Sequence, residues 1–175
     1  MAQKYKVFAY GSLMHQGSLG RTVPEAYNIF PARVQGLQRV FNLASHYRFD
    51  RQQNRPVCVL NVENAPATLT MNGICFDMDE QSIQALLHRE QGYDFCPITA
   101  EHFDQQQVFS AYYFQAKQFT PYRYLPQSKD QQHYLTLCLE GCAAFGENFL
   151  ADFKRSTHFW DIPDQQQSRI WRGEY

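Results

Sequence analysis

Two short segments carry residue types that can do chemistry together. In Arg89-Glu90-Gln91-Gly92-Tyr93 a glutamate falls at the end of a predicted helix, beside a glycine and an aromatic residue. A carboxylate held there in a partly dry site suits a general base, because loss of water raises its pKa toward the working range. In Phe8-Ala9-Tyr10-Gly11-Ser12-Leu13 a strand-like run enters a turn at Gly11, where no side chain blocks approach to the backbone. Successive amide N–H groups in such a turn make a nest for an anion, a carboxylate or a phosphate. Each segment alone also reads as commonplace structure, a solvated helix-end carboxylate and a Gly-Ser turn. The two together, in this order, point to a site.

Other chemistries find little support. The sequence has no G-x-x-x-x-G-K-[ST] phosphate loop, no G-x-G-x-x-G, no G-x-S-x-G and no H-E-x-x-H, which removes the motif-based case for kinases, dinucleotide enzymes, α/β-hydrolases and zincins. Cys138 and Cys142 lie one helical turn apart, but the second pair of ligands that a metal needs is missing and the flanks are apolar. Core packing is the favoured reading, and no metal is expected. His15, His46, His88, His102, His133 and His158 are scattered singly, and the Cys96–His102 spacing carries little information about a thiol–imidazole pair.

The elements that must position these residues are read from periodicity and punctuation. Strands are expected over Tyr5–Ala9, Val34–Leu43, Val57–Val62, Ile74–Phe76 and Val108–Phe114, with a polar loop over His46–Arg55. Asp77 to Glu80 suit a helix start; Ile83, Leu86, Leu87 and Glu90 follow at helical spacing, and Gly92 is the stop, which puts Glu90 in the last turn. Tyr134, Cys138, Cys142, Phe145, Phe149 and Phe153 predict one long helix with a buried face. The Gln runs at Gln52, Gln105, Gln131 and Gln165 read as polar connections. Strands and helices do not alternate strictly, so the expected class is α+β.

At 175 residues the chain is expected to form one domain over 1–175, large enough to bury a core without disulfides. Fourteen Phe and 11 Tyr supply apolar area that a disordered chain lacks. With 16 Lys+Arg against 17 Asp+Glu, the net charge of −1 gives no footprint for nucleic acid or an anionic membrane. No run of about 20 apolar residues offers a membrane span. The first residues lack an apolar h-region, and the five cysteines are an odd count in hydrophobic segments, so a cytoplasmic location is expected.

Val7-Phe8-Ala9-Tyr10-Gly11-Ser12-Leu13-Met14 resembles the Y-G-S-[LN] loop of the γ-glutamylcyclotransferase superfamily, ChaC and AIG2-like proteins included, and Arg89-Glu90-Gln91-Gly92-Tyr93 resembles its R-E-x-G-Y segment. Between them, Gly36-Leu37-Gln38-Arg39-Val40-Phe41 is similar to the family's G-[YL]-x-R-x-F strand, and Gly73-Ile74-Cys75-Phe76 to the strand before its helix. The likeness runs from about Lys6 to Phe153 and is diffuse past Gly92. It implies a small mixed β-barrel flanked by helices, with the active cavity at one end. It further implies cyclisation of a γ-glutamyl compound to 5-oxoproline with release of the attached amine, no cofactor, Glu90 as general acid/base and substrate held by Tyr10, Gly11, Ser12 and Leu13. The substrate is then a small γ-glutamyl molecule such as glutathione, a γ-glutamyl amino acid, a γ-glutamylamine or a γ-glutamyl-ε-lysine isopeptide. A non-catalytic binding module on the same barrel is the contrasting expectation.

Overall fold

A computed structural model describes residues 4–160 and 168–170. Strand β1 (Lys4–Ala9) leads through a 3₁₀ turn (Ser12–Met14) into helix α1 (Gln16–Thr22). Strands β2 (Tyr27–Gln35), β3 (Leu37–Asp50), β4 (Arg55–Asn64) and β5 (Thr70–Asp79) follow, then helix α2 (Glu80–Arg89) and strands β6 (Tyr93–His102) and β7 (Val108–Ala116). Helices α3 (Lys129–Ala143) and α4 (Glu147–Ser156) precede two short strands, β8 (Thr157–Trp160) and β9 (Ser168–Ile170).

Five strands close a barrel in the order β1-β5-β2-β6-β7, mixed because β7 returns parallel to β1 while the other neighbours run antiparallel. The remaining strands form a second sheet, β4-β3-β8-β9, in which β8 runs parallel to β3. The expected α+β domain with a small mixed barrel flanked by helices is what forms. Strand β5 is buried from Met71 to Met78, because one face points into the barrel and the other lies under α4. Phe8, Phe41, Phe76, Phe149, Phe153 and Phe159 are almost fully buried and join the barrel, the second sheet and α4 in one core.

Four expectations are corrected. The run Val34–Leu43 is not one strand: Gly36 has φ of +79°, a backbone that L side chains rarely adopt, and there the chain leaves the barrel for the second sheet. Residues 46–55 are not mainly loop, since β3 continues to Asp50 and pairs with Arg55, leaving a tight turn over residues 51–54. The long C-terminal helix is two helices, broken at Gly146 with φ of +104°; Tyr134, Cys138, Cys142, Phe149 and Phe153 are nonetheless all buried. Gln131 belongs to no polar connection. It is buried in α3, where its Oε1 accepts from Cys58 N at 3.0 Å and its Nε2 donates to Cys58 O at 2.8 Å. The Gln run at Gln165 lies outside the described residues. Among those described, no helix is long and apolar enough to cross a membrane.

Candidate active site

The segment after β1 is shaped by local hydrogen bonds. Met14 N donates to Gly11 O at 3.0 Å and His15 N to Ser12 O at 3.1 Å, closing the 3₁₀ turn. The amides at its start, Ser12 and Leu13, have no carbonyl within the turn to bind. His15 then caps α1, its Nδ1 accepting from Ser18 N at 3.2 Å. Helix α3 presses the turn into place. A Cβ on Gly141 would lie 2.6 Å from His15 N and 2.7 Å from the Met14 carbonyl carbon, so only glycine admits this approach. Gly11 itself has an ordinary φ of −126°, and the demand on it is for space: a Cβ there would stand 3.0 Å from Tyr134 Oη.

Glu90 is placed from the other side. Asp79 opens α2 by accepting from Ser82 N at 2.8 Å, and Glu90 N closes the last turn onto Leu86 O at 2.9 Å. Glu90 is therefore the C-cap of α2, one residue beyond its last helical position. Its Oε1 accepts from Arg89 Nε at 3.1 Å, and Arg89 Nη1 also donates to Thr22 O at 2.5 Å, which ties the end of α2 to the end of α1.

Both segments meet in a cavity of about 400 Å³, at the barrel end where β1 and β7 finish and β6 begins. Tyr10, Gly11, Ser12, Leu13 and Glu90 all line it, with Phe76, Leu86, Phe114 and Tyr134 forming apolar wall. Tyr10 is buried and its hydroxyl donates to Phe114 O at 2.5 Å. Burial pushes its pKa well above the usual 10.0, and neighbouring Tyr93, Tyr113 and Glu90 add to the rise. Tyr93 is pushed up to about 12, by burial first and the Glu90 charge second. Both phenols hold their protons at neutral pH and wall the cavity.

Several residues singled out above lie elsewhere. Arg39, of the strand segment compared above, does not line the cavity. It is wholly buried, donates to the Asn72 side chain and carbonyl and to Thr157 Oγ1, and lies over the Phe153 ring at 4.2 Å. Its role is to tie β3 to β5 and β8, and burial lowers its pKa to about 10. Cys96 and His102 stand six positions apart on β6, about 20 Å at the usual rise, and do not meet. Cys138 and Cys142 are buried core thiols pushed up to about 12. Among the described residues, no group of three or more His, Cys, Asp or Glu side chains comes together as for a metal ion.

Sequence reasoning missed another part of the wall: Ser18, Arg21 and Thr22 of α1, Ser45, Tyr47 and Arg48 of β3, and Tyr134 of α3. No motif spacing marks these residues, because a break in strand register, not a sequence pattern, brings the β3 group to the cavity.

The barrel with its flanking helices has the fold of solved γ-glutamyl cyclotransferase structures. The chain is similar to a gamma-glutamyl cyclotransferase at a TM-score of 0.69 and 13% identity, over 98% of this chain and 96% of that one. An uncharacterized human protein superposes at 0.68 with 14% identity, over 98% and 95%. A yeast gamma-glutamyl cyclotransferase specific to glutathione superposes at 0.60 with 13% identity, over 86% and 93%. No family profile and no curated protein sequence matches the chain.

Proposed function

We propose that the protein is a γ-glutamylcyclotransferase that converts a γ-glutamyl amine or peptide to 5-oxoproline and the free amine. The observation that carries this reading is the meeting of the Tyr10–Leu13 segment and Glu90 in one cavity, although 77 or more positions of sequence separate them. Nucleophile and electrophile belong to the same substrate, so the enzyme has mainly to fold the γ-glutamyl arm into a near-attack geometry. The amides of Gly11, Ser12 and Leu13 hold the α-carboxylate and fix one end of the arm. The Glu90 carboxylate takes a proton from the α-ammonium, which exposes the lone pair. The amine attacks the γ-carbonyl, and a ring C–N bond forms. As the original amide C–N bond breaks, Glu90 returns the proton to the departing nitrogen, and the second proton shed by the ring nitrogen is taken up by the departing amine, which leaves as its ammonium; one carboxylate serves as base and then acid. Tyr10 and Tyr93 shape the pocket around the folded arm.

The test is incubation with γ-glutamyl amino acids, glutathione, γ-glutamylamines and a γ-glutamyl-ε-lysine isopeptide, with 5-oxoproline as the readout. Formation of 5-oxoproline from at least one is expected, and it should survive treatment with a chelator. A chain that binds these compounds and releases no 5-oxoproline is a binding module, and the reading fails.

A further inference from the structure

The proposed grip on the substrate is incomplete as described, because loop amides supply partial charges and the α-carboxylate carries a full one. The cavity wall holds the missing cation. Its charged side chains are Arg21, Arg48, Arg89 and Glu90. Arg89 is committed to Glu90 and to the Thr22 carbonyl. Arg21, in the last turn of α1, also has no carboxylate in ion-pair contact among the described residues, but it lies back along its own helix, Nη1 3.6 Å from a Cβ built on Gly17, and borders a second cavity beside Thr22 and Arg89. Among the described residues the Arg48 guanidinium likewise has no carboxylate in ion-pair contact and donates no hydrogen bond. A guanidinium with five free donors on a cavity wall is a site for a planar oxyanion.

Arg48 is also held where the anion would lie. The β3–β4 ladder loses register between Ala44 and Phe49, which lifts Ser45–Arg48 out of regular pairing. Ser45 Oγ accepts from Tyr47 N at 3.1 Å and from Arg48 N at 2.9 Å, fixing the bulge. Across the cavity mouth, Tyr47 Oη donates to Arg89 O at 3.4 Å. The Arg48 guanidinium rests over the Tyr134 ring, 5.1 Å from its centroid, and the Tyr134 hydroxyl is the nearest atom to a Cβ built on Gly11. The aromatic platform thus holds the cation at the loop end of the cavity.

We propose that Arg48 pairs with the α-carboxylate of the bound γ-glutamyl group, an assignment that rests on the cyclotransferase reading above. The amides orient the carboxylate and Arg48 neutralises it. Every γ-glutamyl substrate carries this group, so Arg48 serves binding in general and does not select the departing amine.

The experiment compares wild type with Arg48→Met, which keeps an apolar stem on the Tyr134 ring, and Arg48→Lys, which keeps the charge without the fork. The substrates are γ-glutamylglycine and γ-glutamylmethylamide, whose departing amines do and do not bear a carboxylate. For Arg48→Met, KM is expected to rise roughly 10- to 100-fold on both, with kcat changed by less than about threefold and the melting temperature nearly unchanged. Arg48→Lys should fall between. A loss confined to γ-glutamylglycine assigns Arg48 to the departing carboxylate and overturns the proposal, as does a fall in kcat at constant KM. If wild type turns over no γ-glutamyl compound, the cyclotransferase reading fails, and titration with 5-oxoproline and its amide decides Arg48 separately. A preference for the acid that Arg48→Met abolishes keeps Arg48 as the carboxylate-binding residue. The absence of any preference, or one that persists in the variant, rejects it.

Discussion

Glu90 has an acceptor role in the fold as well as a proposed role in proton transfer, and the two respond differently to substitution. Glu90→Gln keeps the oxygen that accepts from Arg89 Nε and removes the ability to carry a proton between substrate atoms. The variant is expected to melt with wild type, bind substrate, and lose roughly 10²- to 10⁴-fold in kcat; a kcat near wild type rejects Glu90 as the base. At Gly11 the constraint is space. Gly11→Val must displace the Tyr134 hydroxyl or move the turn, so kcat/KM should fall far more than thermal stability. Ser12→Ala keeps the backbone amide and should lose only a hydroxyl contact, worth about 0.5–1.5 kcal/mol. Steady-state kinetics of the two variants decide the matter: an inactive Ser12→Ala beside an active Gly11→Val points to a serine nucleophile instead. Both segments were legible in the sequence, because glycine at a strand exit and a carboxylate at a helix end are local features. Arg48 and Tyr134 were not, since each becomes relevant only through a neighbour distant in sequence.

The turn that follows β1 has its position from α3, so the site depends on how closely two elements pack. Gly141→Ala adds a methyl group against the backbone of Met14 and His15, which cannot move aside as a side chain could. Alanine improves helix propensity by about 1 kcal/mol over glycine, but overpacking against fixed backbone costs about 1–3 kcal/mol, and the clash should win. The variant is expected to melt lower and to show a raised KM. Gly20→Ala in α1 has nothing within 4 Å of its new methyl and should melt slightly higher with unchanged kinetics. Calorimetry and initial rates on the pair separate close packing from propensity; Gly141→Ala behaving like Gly20→Ala rejects the account. Element types near the site were readable where periodicity was unbroken, as in α2 with its Asp79 cap. Boundaries failed where one residue changes the backbone, at Gly36 and Gly146, since a positive φ leaves the hydrophobic pattern on either side intact. Strand β6 was missed because its burial alternates only weakly along Tyr93–His102, being fixed by pairing with β7 and β2.

At the scale of the whole molecule, the core buries acids that stay protonated, and this sets the behaviour at high pH. Cys75, Cys138 and Cys142 are pushed by burial from an ordinary 9.0 to about 12, and Cys58 is raised further still. Tyr93 is raised from 10.0 to about 12, with Tyr10 and Tyr134 well above the usual value. The folded state therefore keeps protons that the unfolded chain releases, from near pH 9 for the thiols and near pH 10 for the phenols. This contribution is present in full below pH 9 and is lost as pH rises toward 12. Each fully titrating group steepens the loss by about 1.4 kcal/mol per pH unit. Denaturant unfolding between pH 7 and 11, with reductant present, is expected to give stability that is level to about pH 8.5 and then falls with increasing slope. Cys138→Ala/Cys142→Ala removes two of the titrating thiols. It should begin less stable at pH 7, because it leaves space in the core, yet lose stability less steeply above pH 9. Equal slopes in wild type and double variant, or a wild-type curve that stays flat to pH 11, would show that these thiols do not govern the alkaline limb.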